Sequence, residues 1–182
     1  MTLKEMKLKV LRMIEEVGAT ALTDDVDIEN KLNDVINQVM FELARIKKIP
    51  AVMYKNMADD YTFDLRTIEG FYQLYGARFK DLYGNEKDIE LFESIIEVPC
   101  EGTLKIRYYK YPTRITDNTT DSDYVFDLTE DVLEVMPYGV AADILKSDIS
   151  NNYGKIYAER YEAMKQMLDP RYSTGMIYIE EA

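Results

Sequence analysis

The chain has 182 residues, 47% of them hydrophobic, so it can bury a sizeable core, and we predict one domain over residues 1–182. It contains no histidine and a single cysteine, which excludes histidine-based triads, imidazole-ligated metals and an intramolecular disulfide. Residues 1–16 carry seven charges in place of an apolar secretory signal, and no apolar run reaches the ~18 residues of a membrane span. An intracellular site of synthesis therefore fits best.

Phosphate-binding and calcium-binding loops are excluded because required residue types are missing at their positions. The only Gly-Lys pair is followed by Ile156, where a phosphate loop needs Ser or Thr. A calcium loop starting at Asp25 has Asn30 in place of the turn glycine and Ile36 in place of the bidentate glutamate, and one starting at Asp121 fails more badly. We predict no catalytic, metal-binding or cofactor-binding residue and no enzymatic activity. With 34 Asp and Glu residues, an enzyme that uses only carboxylates and tyrosines stays open as an alternative.

The net charge of −12 is concentrated in the last third of the chain, where residues 117–182 have 5 basic and 14 acidic side chains. Between Asp117 and Glu134 there are seven acids and no base, a composition that repels a phosphate backbone. The basic segment 104–115, "LKIRYYKYPTRI", alternates cations with tyrosines, as some single-strand binders do. Its period of two also fits a half-buried strand, with Lys105 and Arg107 on one face and Leu104 and Ile106 on the other, and we favour that interpretation.

Residues 1–50 predict two helices. Thr2 and Glu5 form a capping box before an apolar stripe that ends near Gly18. A second stripe, with Asp25 or Asp27 as its cap, continues to Pro50. Because only a short acidic turn joins them, the two helices should form an antiparallel hairpin.

The pattern changes from helical to alternating over residues 61–115, which predict an inserted antiparallel sheet of three or four strands. We expect strands at 61–65, 77–83, 89–98 and 103–111, and a single helical turn within residues 66–76. The stretch "PCEG" before Thr103 reads as a hairpin connection in which Gly102 supplies an unusual dihedral angle.

Residues 127–169 predict further helices, the first capped by Asp127 or Thr129. Pro137 and Gly139 lie inside this helix, and a proline there removes a hydrogen bond at a cost of ~3 kcal/mol, so the helix should kink or restart. Residues 170–182 form a tail with an apolar run, which we expect to dock on the chain's own sheet edge or on a partner. Its candidate docking residues are Tyr172, Met176, Ile177, Tyr178 and Ile179. The fold class is thus α+β, a bundle of antiparallel helices holding a small sheet.

The order of these elements resembles that of the head-to-tail connector, or adaptor, proteins of tailed bacteriophages and prophages. The resemblance covers most of the chain, and it departs from the family pattern at Arg66, where proline would be expected after "DL". It is carried by "TLKEMKLKVLRMIEEVGAT", "TDDVDIENKLNDVINQVMFELA", "YTFDLRTIEGFYQLYG", "IRYYKYPTRIT" and "DLTEDVLEVMPYGVAADILKSDISNNYGKIYAERYEAMKQML".

The resemblance implies a structural virion protein that forms a homo-oligomeric ring of about twelve copies beneath the portal protein. It implies assembly in the host cytoplasm, a place in the neck of the virion, contact with a downstream neck or tail protein, and DNA passing through the ring without sequence-specific binding. Another neck or tail-completion protein is the alternative. We predict that a basic group on one subunit meets an acidic group on the next. The basic group is Lys105, Arg107, Lys110 and Arg114, and the acidic group includes Asp121 and Asp123.

Overall fold

The computed structural model describes residues 1–18, 22–147 and 152–169. Four helices are α1 (Leu3–Met13), α2 (Val26–Ile46), α3 (Glu130–Ile144) and α4 (Asn152–Leu168). Seven strands lie between α2 and α3, and they are β1 (Ile49–Met57), β2 (Thr62–Asp64), β3 (Phe71–Asp81), β4 (Glu86–Lys87), β5 (Glu90–Phe92), β6 (Ile95–Glu97) and β7 (Gly102–Lys110). Short 3₁₀ helices cover Leu65–Thr67 and Leu145–Ser147. The α+β prediction is confirmed.

The chain folds as two compact units. A helical unit contains Met1–Lys47 and Pro112–Ala182, and a sheet unit contains Lys48–Tyr111. The sheet unit is therefore inserted into the sequence of the helical unit. The change from helical to alternating spacing of apolar residues predicts this order of helices, sheet and helices.

The two N-terminal helices begin at the predicted caps. The Thr2 hydroxyl accepts a hydrogen bond from the Glu5 N–H at 3.2 Å, and the Thr2 N–H donates to the Glu5 carboxylate at 2.8 Å, which is the reciprocal capping box. The Asp25 carboxylate accepts from the N–H groups of Asp27 and Ile28 at the start of α2. Helix α2 ends at Ile46 and not at Pro50, because Pro50 belongs to β1, an edge strand where its missing N–H is tolerated.

Helix α3 is the centre of the helical unit, since it packs against α1, α2 and α4. Val132, Met136, Val140 and Ala141 are fully buried there. The helix continues through Pro137 without a restart, so the alternative of two separate helices is wrong. Thr129 occupies the predicted N-cap position, although its side chain makes no capping hydrogen bond to the helix backbone.

The sheet unit contains a four-stranded antiparallel sheet in the order β1-β7-β3-β4 and a three-stranded sheet in the order β2-β6-β5. Three strand predictions need correction. Strand β1 lies wholly before residue 61, and the predicted strand at 89–98 is divided by a turn at residues 93–94 into β5 and β6. Strand β3 begins at Phe71, so the predicted helical turn is limited to the 3₁₀ helix at Leu65–Thr67. One hydrophobic core, which includes Phe79, Ile96, Leu104 and Ile106, holds the sheet unit together.

The segment "PCEG" is not a hairpin connection, because β6 and β7 belong to different sheets. The reason for glycine at 102 is close packing rather than an unusual dihedral angle. A Cβ atom there would lie 2.1 Å from the Lys80 carbonyl oxygen and 2.6 Å from the Phe79 ring. Strand β7 can therefore lie directly against β3 only if residue 102 lacks a side chain.

Candidate functional site

The outward face of β7 carries the cations that the sequence singled out. Leu104, Ile106 and Tyr108 are buried, whereas the alternating residues Lys105 and Arg107 are only half-buried on the other face. This alternation confirms the predicted strand pattern, since successive side chains of a strand point to opposite faces.

Neighbouring strands add to the same face. Arg78 of β3 is the register partner of Lys105, and Lys80 is the partner of Thr103. Register partners in an antiparallel pair point to the same side of the sheet, so four cations from two adjacent strands share one surface. We call Arg78, Lys80, Lys105 and Arg107 the cationic sheet face.

Tyrosines surround these cations. The Lys105 ammonium lies 5.4 Å from the centre of the Tyr54 ring, on β1, and the rings of Tyr75 and Tyr109 are 4.9 Å apart. Tyr54 and Tyr75 are 64% and 47% exposed, which leaves their rings accessible to a partner. The surface therefore combines positive charge with aromatic area, a composition typical of binding surfaces.

The cationic sheet face includes one carboxylate, that of Glu86, which is the register partner of Lys80 and lines a depression together with the four cations. Arg78 lies 3.8 Å from Glu86 of β4, but both side chains are more than 60% exposed, so solvent screens this pair strongly. Within the described ranges, Lys80, Lys105 and Arg107 form no ion pair. Mutual repulsion among these neighbours raises the free energy of the isolated surface, and a bound anion would lower it.

A depression of about 200 Å³ lies on this face beside Gly76. Gly76 is the register partner of Arg107, and a Cβ atom at Gly76 would have no neighbour within 4 Å. Arg78, Lys105 and Arg107 line the depression, and no carboxylate does. Its chemistry suits a carboxylate or another oxyanion.

The acidic segment 117–134 lies in the helical unit, and part of its charge is already compensated. The Lys7 ammonium binds both oxygens of Asp121, at 2.8 and 2.9 Å. Lys47 lies 3.1 Å from Asp131, whose pKa is lowered chiefly by a hydrogen bond from the Thr129 side chain and further by Lys47. The other acids of the segment that are exposed have no ion pair within the described residues, and they are Asp117, Asp123, Glu130 and Glu134.

The predicted interface residues thus have different environments. Lys105 and Arg107 share the cationic sheet face, but Lys110 has the strand phase of buried Tyr108 and lies on the opposite face. Arg114 follows the last strand and belongs to the helical unit. Asp121 is held by Lys7, whereas Asp123 is exposed.

The predicted docking tail, with Tyr172, Met176, Ile177, Tyr178 and Ile179, lies outside the described residues. Sequence reasoning missed Arg78 and Lys80. Their alternation around buried Phe79 was a usable signal for a strand face, but their place beside Lys105 depends on a pairing between distant segments.

No protein-family model matches this sequence, and no curated protein matches it. In the described part of the chain, no group of three or more Cys, Asp or Glu side chains has the geometry to hold a metal ion. None of the helices described is both long enough and apolar enough to cross a bilayer.

Proposed function

We propose that the protein is a structural component of a tailed bacteriophage, a head-to-tail connector that forms a ring beneath the portal protein. It assembles in the host cytoplasm, and in the virion it lies in the neck, between the portal and the next neck or tail protein. The resemblance of its segments to connector proteins supports this proposal, and so does the distribution of charge over its two units.

The observation that carries the proposal is a cationic face on a chain that is acidic as a whole. The cationic sheet face lies in a unit with 9 basic and 11 acidic residues, while the helical unit has 13 basic and 23 acidic residues. Two different, electrically complementary surfaces on one chain favour a head-to-tail contact between copies, and repeated head-to-tail contacts close into a ring when the rotation permits.

The overall acidity also suits a channel for DNA. A ring whose lining is acidic does not hold phosphates, so a duplex slides through it without being retained. The proposal therefore assigns no sequence-specific DNA binding to this protein.

The test is a copy count. Particles purified from an induced lysate of the source strain are analysed by quantitative peptide mass spectrometry, with a capsid protein as the internal standard. We expect about a dozen copies per particle, as for one cyclic ring. Hundreds of copies would identify a shell or tube component, and absence from the particle would overturn the proposal.

Another neck or tail-completion protein would give a similar count, so position separates the two possibilities. Antibody labelling of purified particles should mark the junction directly below the portal. Label at the far end of the neck or on the tail would favour the tail-completion role.

A further inference from the structure

We propose that the cationic sheet face of one copy binds the unpaired acids of segment 117–134 on a second copy. This inference rests on the proposed ring and deepens it, because it assigns the contact between subunits to particular residues. It replaces three residues of the sequence-based interface, Lys110, Arg114 and Asp121. The residues added are Arg78, Lys80, Asp117, Glu130 and Glu134.

The cationic side is ready to receive carboxylates. Lys80, Lys105 and Arg107 form no ion pair within the described residues, and the depression at Gly76 brings Arg78, Lys105 and Arg107 around one opening. Side chains two residues apart on a strand stand ~6.8 Å apart, which allows adjacent cations to take separate carboxylates.

The acidic side offers the same number of charges. Four acids of the segment are exposed and form no ion pair in the described structure, against four cations on the sheet face, of which Arg78 already lies close to Glu86. Glu130 and Glu134 line a groove that also holds Lys9 and Arg12, so their field is partly compensated. Asp117 and Asp123 do not line that groove, and they give the stronger test.

A protein partner fits this surface better than a nucleic acid does. The whole chain carries −12, and that charge opposes the approach of a phosphate backbone at low salt. In a ring, each subunit offers one cationic and one acidic surface, so each cationic surface contacts the acidic surface of one neighbouring subunit.

A pair of single substitutions tests the cationic side. Arg107→Glu and Lys55→Glu make the same change of charge in the same sheet, but Lys55 is the register partner of Leu104 and lies on the opposite face. Self-association is measured by sedimentation velocity at low salt, after circular dichroism has shown that both variants fold. We expect Arg107→Glu to weaken association about tenfold or more and Lys55→Glu to leave it unchanged.

Mixing two reversed variants tests the contact itself. One carries Arg78→Glu and Arg107→Glu, and the other carries Asp117→Lys and Asp123→Lys. Each should stay monomeric alone, because like charges then face each other. An equimolar mixture should associate, since every contact in an alternating assembly again joins opposite charges. Normal oligomers from either variant alone, or no association in the mixture, would overturn the proposal.

Two further outcomes separate this inference from the connector function. If the natural chain stays monomeric at low salt and high concentration, the contact is wrong, while the copy count in particles still decides the connector role. If the natural chain binds a fluorescent 20-nucleotide single strand, and Arg78→Glu with Arg107→Glu abolishes that binding without changing self-association, the surface binds nucleic acid and the proposed contact is also wrong.

Discussion

Gly139 lies where three helices of the helical unit meet. A Cβ atom at this position would approach the Tyr161 ring of α4 to 2.7 Å and the Val39 side chain of α2 to 2.9 Å. Tyr161 is only 6% exposed, so its ring has little room to move away. The glycine that interrupts the apolar pattern of α3 is therefore a packing residue, since it lets an aromatic side chain lie directly against the helix backbone.

Gly139→Ala should lower the free energy of unfolding by about 1 to 2 kcal/mol, because overpacking outweighs the better helix propensity of alanine. Urea denaturation followed by circular dichroism measures the change. Gly76→Ala is the control, since a Cβ atom there meets nothing within 4 Å. A Gly139→Ala variant as stable as the natural chain would show that Tyr161 can rearrange.

At the scale of secondary-structure elements, one side chain of α2 makes the two hydrogen bonds that the backbone of a loop residue, Ile115, requires. Asn37 is 5% exposed, and its amide donates to the Ile115 carbonyl at 2.8 Å while its carbonyl accepts from the Ile115 N–H at 2.9 Å. Both backbone groups of a buried residue are satisfied in this way. The segment that leads from Pro112 toward α3 is thus fixed to α2.

Asn37→Ala should cost about 2 to 3 kcal/mol of stability, because it leaves two buried backbone groups of Ile115 without partners. Gln38→Ala, at the next and exposed position of α2, should change stability by less than ~0.5 kcal/mol. Thermal and urea unfolding of both variants measure the difference. An equal, small effect in the two would mean that water replaces the Asn37 side chain.

Local signals predicted some elements and failed for others. Capping residues and apolar spacing located α1 and α2, because helix hydrogen bonds join residues close in sequence. Strand β1 was missed because Pro50 and the exposed residues 54–56 obscure its alternation. The pairing of β7 with β1 and β3 joins residues far apart in the chain, which turn signals cannot reveal. Lys105 and Arg107 lie on one strand, so the sequence predicted their shared face. Arg78 and Lys80 join that face only through strand pairing, so the sequence did not predict them there.

On the scale of the whole molecule, the excess of acids has opposite consequences for folding and for association. The helical unit carries 23 acidic and 13 basic residues, so its acids repel one another in the folded state. Salt screens this repulsion, and it equally screens the attraction between unlike surfaces of two copies. Stability and association should therefore respond to salt in opposite directions.

We expect the free energy of unfolding to rise by on the order of 1 kcal/mol between 10 and 150 mM NaCl. The measurement is urea denaturation at a protein concentration low enough to keep the chain monomeric. Sedimentation velocity over the same range should show weaker self-association. Stability that is flat or falls with salt would show that the acids are already balanced by nearby cations.

The pairing of Ile49 with Lys110 has a consequence for the evolution of this protein. The first and last residues of the four-stranded sheet are register partners, so the chain enters and leaves the sheet unit at points about 5 Å apart. A short turn spans that gap. The inserted unit can accordingly be deleted, lengthened or exchanged in one recombination event without pulling apart the helices that flank it. A gene that encodes such a chain can retain the helical unit while it acquires a different sheet unit.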